Sequence, residues 1–214
     1  LSHARALYGG GGLSPMEDVV AGDVGRKDRL RRSGGVWQST GRQNVPRGTS
    51  SVYESAGAEF DEPSRVYRYR LWRAWGSLPL SLSSVLWVML NPSTADEHVL
   101  DPTLRRCEGF SKRFGYDGFE VVNLFALRST DPSVLPRLGW AAIGPDNDLA
   151  IRQAADRADR IIVGWGQERF ARSRALAVSM LLCDRDLYCL GQNQDGSPKH
   201  PLYLSAATLL TRFR

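Results

Sequence analysis

Cysteine, histidine and long apolar runs are all scarce in this chain, and each shortage removes a class of function. Of 214 residues only three are cysteine (Cys107, Cys183, Cys189), an odd number with no C-x-x-C spacing. That argues against a disulfide framework and against a zinc knuckle, and it points to a reducing, cytoplasmic setting. No apolar run approaches the ~18 residues of a membrane helix, so no membrane partner is expected. An apolar signal-like segment is missing near the N-terminus, and secretion is not indicated. Histidine is limited to His3, His98 and His200. What is present is ordinary for a globular chain, with 42% hydrophobic and 24% charged residues and enough length for a sizeable core. The net charge of +5 favours a polyanionic partner, with nucleic acid foremost.

Residues 1–50 stand apart in composition. They are rich in Gly, Arg and Ser and carry no sustained period, so a flexible basic arm is expected, with 51–214 as the folded domain. The cluster GRKDRLRRSGG (Gly25 to Gly35) reads as a solvated charge run or a nucleic-acid patch.

From Val52 the pattern tightens. RVYRYRLWRAW (Arg65 to Trp75) alternates Tyr67, Tyr69 and Leu71 against Arg68 and Arg70, a half-buried strand whose arginines face water or phosphate. Four further strands are expected at Val85 to Leu90, Phe119 to Leu124, Arg160 to Gly166 and Leu187 to Gly191. Between them, Asp101-Pro102 starts a helix that Gly115 ends, with Leu104, Cys107, Ser111 and Phe114 on one face. Further helices are expected from Pro145 to about Ala158 and from about Glu168 to Leu182. Strands alternating with helices predict parallel βαβ units, hence a three-layer α/β/α fold on a mainly parallel four-stranded sheet.

In such a sheet the strand exits share one edge, where ligands bind. Here the exits carry Asn91-Pro92, Asn123, Trp165-Gly166 and His200-Pro201. The three polar side chains have plainer readings: Asn91 as a turn residue, Asn123 as a strand-end cap, His200 as a surface-loop histidine. Asp96, His98 and Asp101 could hold a metal or serve local turns and the helix cap. GPDND (Gly144 to Asp148) reads as an acidic helix start or as a cleft rim. Arg105 and Arg106 are either a solvated helix face or phosphate contacts, and Cys107 is a core residue.

Placed in order, MLNPS, VVNLFAL, IIVGWG and HPLYLS resemble the motifs of the uracil-DNA glycosylase superfamily. Those motifs are G-[IM]-N-P-G or G-x-D-P-Y, V-x-N-x-C-P-L, a strand ending W-G, and H-P-S-P-L-S. The chain is also identified as a member of a bacterial and phage family of unknown function. Its hallmarks stand here at Leu90 to Asp96, Asp101 to Cys107, Phe110 to Tyr116, Val121 to Ala126 and Gly144 to Asp148, with a closing HPLYL.

The glycosylase resemblance implies that fold and metal-independent hydrolysis of the N-glycosidic bond of a damaged or modified base in DNA, with no cofactor. Asn91 would orient the attacking water, and His200 would stabilise charge on the departing base. Asn123, with Pro92, Ser93 and an aromatic floor from Phe125 or Phe110, would hold the flipped base. Lys199, Leu202, Tyr203, Arg105 and Arg106 would contact the nucleic acid. Met89 and Ser93 stand where the superfamily has glycine, and Leu202-Tyr203 where it has Ser-Pro, so the pocket floor differs. Two other classes fit the charge: a non-catalytic binder of modified or single-stranded nucleic acid, and a metal-dependent nucleotide or phosphodiester enzyme using Asp96, His98 and Asp101.

Overall fold

Continuous apolar runs make the centre of the sheet, because strands covered on both faces have no polar side to present. The computed structural model describes residues 53–76, 83–93, 95, 96 and 98–213, so the segment expected as a basic arm lies outside the described residues. The four expected strands are β3 (Ser84–Met89), β4 (Gly118–Asn123), β5 (Arg160–Val163) and β6 (Leu187–Cys189). They are mutually parallel, paired β4 to β3, β3 to β5 and β5 to β6.

The sheet is larger than expected. It has seven strands in the order β1-β2-β4-β3-β5-β6-β7, with the four parallel strands in the middle. β1 (Ser55–Phe60) and β2 (Arg68–Ala74) extend one side antiparallel, and the two-residue β7 (Thr211–Arg212) closes the other.

Helices lie on both faces, as side-chain alternation along β3 requires. Val85, Trp87 and Met89 pack with Leu104, Cys107 and Phe110 of α1 (Pro102–Arg113). Leu86 and Val88 pack on the opposite side with Leu135 of the single-turn α2 (Leu135–Leu138). Ile151, Ala154 and Ala155 of α3 (Asn147–Arg157) and Val178 of α4 (Arg172–Leu181) complete that cluster. The Asp101 side chain caps α1 by accepting from Leu104 N at 2.8 Å, Pro102 opens it, and Gly115 leaves it at φ +83°. Among the described residues no helix is long and apolar enough to cross a membrane.

The arginines of β2 correct the sequence reading. Arg68 and Arg73 are buried at 2% and 1% exposure rather than facing water. Arg70 pairs with Glu120, whose carboxylate also takes Arg157, at 2.6 and 2.9 Å. A buried carboxylate needs such partners, so this trio belongs to the packing of the sheet.

Candidate functional site

The parallel strands bring their exits together on one edge. β4 runs straight into the loop after β3: Leu124 N donates to Met89 O at 2.8 Å and Phe125 N to Leu90 O at 3.0 Å. Beyond β5 the chain passes through Gly164, where an added Cβ would lie 3.2 Å from both Met89 and Pro201. Gly166, at φ +81°, lies against His200 in the same way. The glycines therefore permit the His200 loop to lie on the exits of β3 and β5.

Within that convergence the polarity of Asn91 is fixed. Its Nδ2 donates to Ser129 O at 2.8 Å and to Pro92 O at 3.0 Å. Both acceptors are carbonyls, so the nitrogen must face them, and Oδ1 points the other way with no partner among the described residues. His200 is fixed too. Leu202 N donates to its Nδ1 at 3.3 Å, so Nδ1 is the bare nitrogen and the proton sits on Nε2. Burial pulls the imidazole pKa below its usual 6.5, against the opposing charge of Asp101, and the neutral ring results.

Asn123 ends β4 on the α1 face of the sheet, level with Met89. It is buried at 1% exposure, and its Nδ2 has no hydrogen-bond partner. A buried amide left unpaired costs about 1–3 kcal/mol, so this group stands out in a core whose other polar atoms are largely matched.

Other expected residues have structural work. Ser93 donates to Asp101 Oδ2 at 2.6 Å, which ties the Asn91 loop to the start of α1. Pro92 is buried beneath it. Phe110 and Phe125 belong to opposite faces of the sheet, one against Trp87 and the other against Phe170, so they do not form one aromatic floor. Arg106 is not a free phosphate ligand: it donates to Pro201 O and Leu204 O and holds the His200 turn onto α1. Arg105, Lys199 and Tyr203 are exposed and Leu202 half-buried.

Asp96 accepts from His98 N and Val99 N at 2.8 and 2.9 Å, forming a local turn. Partial burial opposes its ionisation, but these two bonds hold its carboxyl below the usual range. With Asp101 capping α1, Asp96 and Asp101 serve the local turn and the helix cap that were the plainer reading of this trio. Among the described residues no group of three His, Cys, Asp or Glu side chains could hold a metal ion. Burial pushes the Cys107 thiol well up, as a core cysteine requires.

Two features escaped the sequence. Asn147, in GPDND, is wholly buried and donates to the carbonyls of Asn123 and Leu124 at 3.0 and 3.1 Å. It props the exit of β4 from behind rather than rimming the cleft. Arg68 and Arg73 likewise grip the loop after β3, donating to Ala95 O and Asp96 O respectively. An Arg-rich alternation is the signal that could have found them.

A groove of about 430 Å³ lies between α4, Phe213 and the turn around Asp195 to Ser197, and another of about 240 Å³ beside Tyr67 and Trp140. Neither is lined by Asn91, Asn123 or His200.

Residues 68–202 match the family described as "Protein of unknown function (DUF1643)", well over half the chain, and the chain belongs to that family. No curated protein and no solved structure matches it.

Proposed function

We propose that this member of the DUF1643 family hydrolyses the N-glycosidic bond of a damaged or modified base in nucleic acid, without a metal. The fold we assign to that work is of the uracil-DNA glycosylase type, with the four parallel strands as its core.

One observation carries the reading: at one sheet edge Asn91 offers a fixed acceptor and His200 a fixed neutral donor. Breaking a glycosidic bond builds positive charge on the sugar and negative charge on the departing base. Asn91 Oδ1 can accept from a water and aim its oxygen at the sugar carbon. His200 Nε2–H can donate to the base oxygen where negative charge gathers, and a neutral imidazole gives no proton away while doing so. The unpaired Asn123 Nδ2 supports recognition of a base edge, since an amide reads donor and acceptor positions together.

The test is incubation of the full chain, in EDTA, with oligonucleotides carrying uracil, hypoxanthine, xanthine or hypermodified pyrimidines. Alkali-labile abasic sites are scored, with Asn91→Ala as control. A site made by the wild type and lost in the variant establishes the chemistry. Binding without any abasic product moves the assignment to a recognition module, and base release that stops in EDTA moves it to a metal enzyme.

A further inference from the structure

Among the described residues, the buried arginines Arg73 and Arg174 come with acceptors matched to them and Arg68 does not. The half-buried Arg70 keeps one unpartnered Nη2 but is neutralised by Glu59 and Glu120. Arg174, 8% exposed, pairs with Asp148 and donates from Nε to Leu124 O at 2.8 Å. Arg73 reaches the carbonyls of Gly57, Trp72 and Asp96. Arg68 is 2% exposed and donates from one terminal nitrogen to Ala95 O. Its Nε has no partner, and no carboxylate among the described residues lies within ion-pair distance of it.

The nearest carboxylates are already engaged. Asp96 takes the backbone of His98 and Val99, and Asp101 takes Leu104 N and Ser93 Oγ. Beside them lies a second cation with the same deficiency. Arg128 is half-buried, donates to Arg65 O at 3.2 Å, and leaves a buried Nε without a partner. Its charge and that of Arg73 act on Arg68 in the same unfavourable direction, against Asp96 and Asp101. Burying a guanidinium without an anion is strongly unfavourable, and the arrangement is relieved when a ligand supplies the anion.

Position adds the identity of that anion. Arg68 grips the loop that Asn91 opens, and Arg128 precedes Ser129, whose carbonyl Asn91 holds. We infer that Arg68 and Arg128 form a phosphate-binding site beside Asn91, which takes a phosphate ester of the nucleotide being processed. The guanidinium Nε edges suit tetrahedral oxyanions, which accept two parallel N–H bonds. The site deepens the glycosylase reading and rests on it for the nucleotide, though not for the phosphate itself.

Thermal melts of the full chain test it, in phosphate against chloride at matched ionic strength. With phosphate at several times its dissociation constant, the wild-type Tm rises by about 2–4 °C. Arg128→Gln and Arg68→Met abolish the rise, and if Arg68→Met does not fold, the half-buried Arg128→Gln decides. No rise in the wild type overturns the inference, as does a rise undiminished in the variants. A deoxynucleoside 5′-monophosphate, its nucleoside and a short single-stranded oligonucleotide separate the sources. A larger shift with the oligonucleotide assigns a backbone phosphate, and an equal shift with the mononucleotide assigns a free one. The two readings fail separately. Base release with a silent phosphate melt removes the site alone, and a phosphate response without base release removes the glycosylase alone.

Discussion

Two regions of the protein differ in a way that volume alone would misrank. The groove beside α4 offers about 430 Å³, yet several of the charged groups on its wall are in surface ion pairs: Arg172 with Asp195, Arg212 with Asp186, and Arg185 with Asp156 beyond the wall. The convergence around Asn91 meets that groove only at the β5 exit, through Trp165 and Gly166, and it holds buried polar atoms without partners on Asn123, Arg68 and Arg128. Exposed ion pairs are nearly neutral in energy, whereas an unmatched buried donor is a standing penalty. Several such penalties at one sheet edge are what the proposed ligand would relieve.

The sharpest way to break this comparison is to remove the two fixed polar tips. Asn91→Ala and His200→Ala are each expected to lower base release by about 10²–10³-fold, as loss of one preorganised group does. Single-turnover assays measure it, with circular dichroism as the check on folding. If both variants keep wild-type rates, the site lies elsewhere. Asn123→Leu is expected to separate stability from function. Removing an unpaired buried amide raises stability by about 1 kcal/mol in urea unfolding, while affinity for the modified base falls. A variant that is destabilised and still binds would return Asn123 to a structural role.

The central sheet was legible because its strands are apolar on both faces and alternate with helices, a pattern only parallel βαβ units satisfy. β1 and β7 were not legible: SAGAEF is small and half-exposed, and β7 is two exposed residues, so neither leaves a hydrophobic period. Asn91, Asn123 and His200 could be marked because each follows an apolar run or a proline signal at a sheet edge. The work of Asn147 and Arg68 was illegible, because a buried polar side chain is defined by which carbonyl it meets across the fold. Phe110 and Phe125 were grouped by residue type, but Phe110 sits on α1 against one face while the chain beyond β4 turns Phe125 into the cluster on the other.

A smaller effect is expected from pH. Burial lowers the His200 pKa from 6.5, so the folded chain binds its proton less readily than the unfolded chain. Between the two values the unfolded state holds more protons. The contribution to stability is therefore complete above pH 6.5 and is lost as pH falls through the folded value. Base release should follow the neutral imidazole: flat from pH 7 upward and declining on the acid side below 6.5. His200→Gln, which keeps a donor and cannot titrate, should flatten that acid limb. A limb that persists in His200→Gln would assign it to another group.

The smallest effect belongs to the groove. Arg212, on the two-residue strand β7, pairs with Asp186, and both side chains are more than half exposed. Water screens such a pair, and holding two long side chains in register offsets much of the attraction. Arg212→Ala should therefore change unfolding free energy by less than about 0.5 kcal/mol, and base release not at all. Chemical denaturation and the same oligonucleotide assay measure both. The comparison sharpens if Arg212→Ala is silent while Arg128→Gln weakens oligonucleotide binding, since each removes one positive charge from a partly exposed arginine. If the groove variant weakens binding equally, net charge rather than the placement of unmatched groups governs the interaction, and the larger cavity regains its claim.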